Sequence, residues 1–156
     1  MRCRLFRFVL AAFVFAALSA RVASASEQGL VLATARQFLN GVNTGNLASS
    51  VRACASPAWI IDDFPPHEWQ GPTACADWAR AFQQVIKQAG ISDNNITLGK
   101  PWHVDITGDR AYVVVPTRYT YKQHGKPMLE DGSIFTMVMR KLPEGWRISS
   151  WAWAAH

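Results

Sequence analysis

Residues 133–154 read SIFTMVMRKLPEGWRISSWAWA. Two runs rich in β-branched and aromatic side chains, 133–142 and 146–154, flank a Pro143-Glu144-Gly145 turn. That composition predicts two antiparallel strands joined by a tight turn. Upstream, residues 110–122 (RAYVVVPTRYTYK) predict another long strand. Pro116 lies within it and has no N–H to give to a ladder, so its position requires a sheet edge or a bulge. Gly108-Asp109 turns the chain before that strand. Residues 96–106 predict one more strand, with Trp102, Val104 and Ile106 on one face and His103 and Asp105 on the other. The polar segment 124–132 reads as a loop.

Before Asn95 the apolar period changes. Val31, Ala35, Phe38 and Val42 recur at i, i+4, i+7 and i+11, one face of a helix over residues 27–43. Ser26 can cap its start and Gly45 suits its end. A short second helix is expected from about Asn46 to Cys54, with Leu47, Val51 and Cys54 on one face. Residues 58–64 (AWIIDDF) predict a short strand, stopped by Pro65-Pro66. Gly71-Pro72-Thr73 opens a third helix whose apolar face carries Cys75, Trp78, Phe82, Val85, Ile86 and Ala89. Helices first and strands afterwards predict an α+β fold: three N-terminal helices packed on a strongly curved, mostly antiparallel sheet.

The 156-residue chain carries a net charge of +5, with 49% hydrophobic and 17% charged residues, which excludes a disordered chain. The basic excess has a local source. Arg2, Arg4 and Arg7 precede an uncharged run over residues 8–18, and Ala23-Ser24-Ala25 ends a small-residue segment. Basic, apolar, small is the order of a secretory signal peptide. Eleven helical residues reach about 16 Å against a bilayer core of about 30 Å, too short for a span. Residues 1–25 are therefore expected to direct the chain to the periplasm or outside the cell and to be cleaved, leaving one domain at 26–156. That domain has 12 Lys and Arg against 11 Asp and Glu, +1, and no basic cluster larger than Arg140-Lys141. Neither a nucleic-acid partner nor, after cleavage, a membrane partner is expected.

Cys54 and Cys75 remain after cleavage. An oxidising compartment permits a disulfide between them, and two buried thiols are the alternative.

The order of elements resembles the nuclear transport factor 2-like superfamily, which includes ketosteroid isomerase, scytalone dehydratase and SnoaL-like polyketide cyclases. Two stretches carry the resemblance: residues 38–47 (FLNGVNTGNL) at the end of the first helix, and 60–66 (IIDDFPP) followed by Gly71-Pro72. The resemblance implies a cone-shaped, cystatin-like α+β barrel with an apolar pocket between the helices and the sheet. Phe38, Trp59, Trp78, Tyr119, Trp151 and Trp153 are the expected wall residues, suited to a small apolar molecule. Trp151 and Trp153 share a strand face, and pairing of two copies through the sheet is expected.

Asp62 sits where the resemblance implies a general base. A carboxylate in an apolar pocket has its charged form disfavoured, which makes it a stronger base. The alternative is a polar residue satisfied at a strand end, and Asp63 competes for the inward position. His67 in the following loop is the second catalytic candidate. His103 and Asp105 read as a solvated pair, and His124 and His156 as solvent-exposed. No metal is expected, since no H-x-x-x-H or C-x-x-C spacing occurs, and no cofactor is expected without a Gly-rich phosphate loop. The resemblance also implies oxyanion donors, a Tyr in the first helix and a protonated Asp on a later strand. Here Phe38 occupies the first position, and the second falls near Thr136 or Met137. A base without those donors lacks a large catalytic contribution, so ketosteroid isomerase activity is not expected. Three functions stay open: a small-molecule binding domain, an acid–base isomerase, dehydratase or cyclase using Asp62, and an interaction domain with a filled cone.

Overall fold

The computed structural model describes residues 27–155. The signal-peptide reading, the Ser26 cap and His156 lie outside those residues. Helix α1 spans 27–43 and buries the predicted face, with Val31, Ala35, Phe38 and Val42 almost fully enclosed. Gly45, at φ 70°, reverses the chain after it. Asn46 caps α2 (Leu47–Ala53), its side chain accepting from Ser49 N at 3.2 Å. The two helices meet at Gly41. A Cβ there would stand 2.7 Å from Ser50 N and 2.8 Å from Asn46 O, so only glycine allows this approach. Ser50 Oγ donates to Phe38 O at 2.7 Å in the same buried contact.

Strand β1 (Cys54–Ile61) follows at once, then β2 (Glu68–Gly71), α3 (Ala74–Gln88), β3 (Ile91–Leu98) and β4 (His103–Thr107). Three long strands complete the chain: β5 (Arg110–Gln123), β6 (Lys126–Leu142) and β7 (Gly145–Ala154). The strand order is β2-β1-β7-β6-β5-β3, with β4 also on β5. Only the β1–β7 pairing is parallel, so the sheet is mixed and mostly antiparallel. The α+β architecture is as expected. Among the described residues no helix is long and apolar enough to cross a membrane.

Four expectations about elements need correction. The early strand begins at Cys54 and ends at Ile61, so Asp62 and Asp63 lie just past it. A strand, β2, occupies 68–71 before the third helix, which starts at Ala74 rather than in the Gly-Pro turn. The expected strand 96–106 is two strands, β3 and β4, parted at residues 99–102. The expected loop 124–132 is mostly strand: only His124 and Gly125 turn, both at positive φ, and β6 pairs from Lys126 onward. Polar side chains hid it, because one face of an antiparallel sheet can meet water.

Pro116 has the edge-like environment its missing N–H requires. Its carbonyl accepts from Gly99 N at 2.8 Å, where the chain leaves β3 and has not yet entered β4. Three register shifts then decide which side chains face the helices. In β7, Val138 pairs with Ser150 and Met139 with Ile148, so Ser149 is extra. The inward series therefore passes from Trp146 and Ile148 to Trp151 and Trp153. In β6 the extra residue is Gly132, between the pairs Thr117–Ser133 and Arg118–Asp131. It turns Glu130 to the same side as Phe135, Met137 and Met139. In β1 a shift between Cys54 and Trp59 leaves Ala58 and Ile60 inward.

The core lies between α1, α3 and the inner sheet face. Phe38, Ile60, Val113, Val115, Phe135 and Ile148 are buried to 2% exposure or less. Each contributes roughly 1.5–3 kcal/mol of hydrophobic stabilisation. Asn43, on the last turn of α1, docks the helix to the sheet edge: it accepts from Ile96 N at 2.7 Å and donates to Ile96 O at 2.8 Å.

Candidate functional site

A cavity of about 150 Å³ opens between α1, α3 and the sheet. Its deep wall is an aromatic cluster. The Phe38 ring centroid lies 5.4 Å from Trp78, 5.9 Å from Phe135 and 5.7 Å from Trp151. Trp78 and Trp151 meet edge to face at 4.9 Å and 89°. Trp151 Nε1 is buried with no hydrogen-bond acceptor among the described residues, and its ring packs against Phe38, Trp78 and Phe135. Phe64, Phe82 and Trp153 extend the wall, and Val85, Ile86 and Ile91 also line the cavity.

Of the six expected wall residues, Phe38, Trp78, Tyr119, Trp151 and Trp153 line this cavity. Trp59 does not. With Ala58 and Ile60 inward, strand alternation sends Trp59 and Ile61 to the outer face, where they are 50% and 54% exposed. Trp59 Nε1 donates there to Glu68 Oε1 at 3.1 Å.

Asp62 continues the inward alternation of Ala58 and Ile60 past the end of β1. It is 8% exposed and lines the cavity, and the more exposed Asp63 also contributes to the lining. Asp62 Oδ2 accepts from Trp78 Nε1 at 2.7 Å, and Oδ1 accepts from Asp63 N at 2.8 Å. Burial disfavours its charged form and the neighbouring Asp63 charge adds to that. Together they outweigh the two hydrogen bonds, and the carboxyl is pushed up from 3.8 to about 7. An acid with that affinity can hold a proton or take one near neutrality.

His67 lies in the same loop with φ 72° and an exposed side chain. Its Nδ1 is 3.2 Å from the Asp62 carbonyl oxygen, and its backbone oxygen accepts from Asp62 N at 3.0 Å. These contacts shape the loop that aims Asp62. The imidazole itself is absent from the cavity wall. His103 and Asp105 are exposed on β4, with the His103 ring 5.9 Å from Tyr112. Of Thr136 and Met137, near the second expected oxyanion-donor position, Met137 is fully buried and has no donor to offer, and Thr136 is absent from the cavity wall.

Sequence reasoning missed Glu130, which lies in the segment read as loop. It lines the cavity opposite Tyr119 in the β5–β6 pairing and accepts from Tyr121 Oη at 2.8 Å. Tyr119 stacks on Tyr121 at 4.5 Å and donates to Asn94 Oδ1 at 2.8 Å. Burial and the Glu130 charge push the Tyr119 phenol well above its usual range, so it stays a neutral donor. The findable signal was the two-residue turn His124-Gly125, which fixes Glu130 across from Tyr119. Among the described residues no three His, Cys, Asp or Glu side chains converge as metal ligands. Cys54 and Cys75 are bonded, tying the start of β1 to the first turn of α3.

No family model and no curated protein matches the chain. Solved structures do. A nuclear transport factor 2-like protein with a cystatin-like fold from Novosphingobium aromaticivorans aligns with a TM-score of 0.72 at 16% identity, over 88% of this chain and 87% of that one. A nuclear transport factor 2-like superfamily protein from Salmonella enterica aligns at 0.69 and 16%, over 85% and 92%. A ketosteroid isomerase-like protein from Erwinia carotovora aligns at 0.66 and 15%, over 83% and 95%. The chain has the nuclear transport factor 2-like fold. At these identities the likeness concerns the fold alone, and function has to be argued from the site.

Proposed function

We propose that this chain is an exported domain that binds a small, one-ring apolar molecule in its cone. The carrying observation is the cavity itself: aromatic walls from two helices and the sheet enclose about 150 Å³, space on the scale of a benzene ring. A cone packed solid by its own side chains would leave no such space. Export is supported by the basic, apolar, small order of residues 1–25 and by the Cys54–Cys75 bond. The mass of the exported protein should correspond to residues 26–156 with both cysteines oxidised. Retention of residues 1–25 would contradict export by cleavage. The half-exposed Trp59 and Ile61, with Val138 nearby on the outer face, support pairing of two copies. Sedimentation velocity reads that directly as a dimer or a monomer mass.

The acid–base reading has one specific observation in its favour, the buried Asp62 carboxyl held near neutrality inside the cavity. Proton abstraction also needs donors where negative charge develops. Phe38 stands at the first expected donor position; near the second, Met137 has no donor and Thr136 is absent from the cavity wall, and the His67 imidazole is outside. Binding is therefore the better-supported function.

Calorimetry with 2-phenylethanol tests it. The protein should bind one equivalent saturably. Ile86→Trp, which fills the cavity from the partly exposed side of α3, should weaken binding by about tenfold or more while the thermal transition persists. Undiminished binding by a folded Ile86→Trp protein would place the ligand elsewhere.

A further inference from the structure

We infer that the cavity selects a small organic cation, an aromatic ring bearing a short protonated or quaternary amine. This inference rests on the binding reading above and narrows its ligand class.

The charge of the lining is one-sided. Asp62, Asp63 and Glu130 line the cavity, and no Lys, Arg or His among the described residues does. None of these three carboxylates has a basic partner among the described residues. Elsewhere Glu27, Asp77, Asp93, Asp109 and Asp131 each form an ion pair with Lys or Arg, while Glu68, Asp105 and Glu144 form none among the described residues. What sets the cavity acids apart is that they share one apolar and aromatic lining that carries no cation.

The geometry leaves room for a cationic partner. A carboxylate offers about four lone-pair sites, and the two donors on Asp62 occupy only two of them. Asp62 lines the cavity together with Trp78 and the aromatic wall, whose ring faces attract an ammonium group. A neutral ligand of the same shape would leave Asp62 either protonated or charged without compensation. An anionic ligand would meet three carboxylates and no cation.

Other groups facing the site reinforce that preference. From the sheet, Tyr119 and Glu130 line it, and Tyr121 holds Glu130 at 2.8 Å. From the loop come Asp62 and Asp63, with His67 behind the Asp62 carbonyl. The lining residues of α1 and α3 are all apolar or aromatic. Because burial raises the proton affinity of Asp62, a cation and a proton compete for it, and the cation gains as pH rises through about 7.

Three probes of one shape test the inference by calorimetry at pH 8 and low salt: 2-phenylethylamine, 2-phenylethanol and 3-phenylpropionate. The amine should bind about tenfold or more tightly than the alcohol, with the carboxylate weakest. Asp62→Asn should shrink the amine-to-alcohol ratio. Glu130→Gln, at a partly exposed position outside the buried Asp62–Trp78 contact, should shrink it as well. Equal binding of amine and alcohol, or tightest binding of the carboxylate, would overturn the cation preference and leave the binding reading standing. Failure of all three probes to bind would overturn both.

Discussion

Stability of the folded chain should fall as pH rises from about 4 to about 7, and Asp62→Asn should remove that fall. Burial holds the Asp62 carboxyl near 7 in the folded chain against 3.8 for an ordinary aspartate. Between those values the folded state keeps a proton that the unfolded state has lost. Stability then decreases with rising pH, because the folded state binds more protons, and this contribution levels off above about 7. At about 1.4 kcal/mol per unit over roughly three units, the ceiling is about 4 kcal/mol. Asparagine cannot titrate. Its side-chain oxygen can accept from Trp78 Nε1 or Asp63 N, and its amide group then faces the other donor. The variant should therefore carry a roughly constant penalty of about 1–3 kcal/mol. The test is the difference in urea-unfolding free energy between variant and parent, measured from pH 4 to 8. It should move in the variant's favour with rising pH across the window. A difference independent of pH would contradict a raised Asp62.

Replacing both bonded cysteines with alanine should cost about 3 kcal/mol. The 21-residue separation of Cys54 and Cys75 sets the scale, since the bridge removes that loop's freedom from the unfolded chain. In a domain of this size the loss corresponds to a fall in Tm of roughly 10 °C. The bridge joins α3 to β1, the two elements that position Trp78 and Asp62, so the same variant should also weaken binding of an aromatic probe. Thermal unfolding of the parent with and without reductant gives a second reading. A Tm unchanged in both experiments would mean that the bridge does not restrain the unfolded chain.

The helices and their order were legible because their signals are local. Val31, Ala35, Phe38 and Val42 share one face by period alone, and Asn46 caps α2 as its side chain chemistry demands. The sheet was legible where aromatic and β-branched residues cluster, as in β5 and β7. It was not legible at Glu68–Gly71 or 126–132, where polar strands take their identity from neighbours distant in sequence. The site divides the same way. Trp78 reaches the cavity because a helical face points there. Trp59 misses it because the β1 register shift fixes which alternate residues turn inward, and one sequence does not display that shift. Glu130 enters through the Gly132 bulge, a one-residue change in pairing that reverses a strand's faces. Asp62 is a candidate from the resemblance alone. Its burial and its bond to Trp78 follow from the distant packing of α3 on β1.

If the cone holds the ligand, the tryptophans report on it residue by residue. Trp78, Trp151 and Trp153 line the cavity, whereas Trp59 and Trp102 are 50% and 67% exposed outside it. Titrating 15N-labelled protein with 2-phenylethylamine and following the assigned indole N–H signals separates the two groups. Saturable shifts are expected at Trp78, Trp151 and Trp153 with one affinity, and stationary signals at Trp59 and Trp102. Shifts confined to Trp59 and Trp102, or no saturable shift at any tryptophan, would contradict binding in the cone.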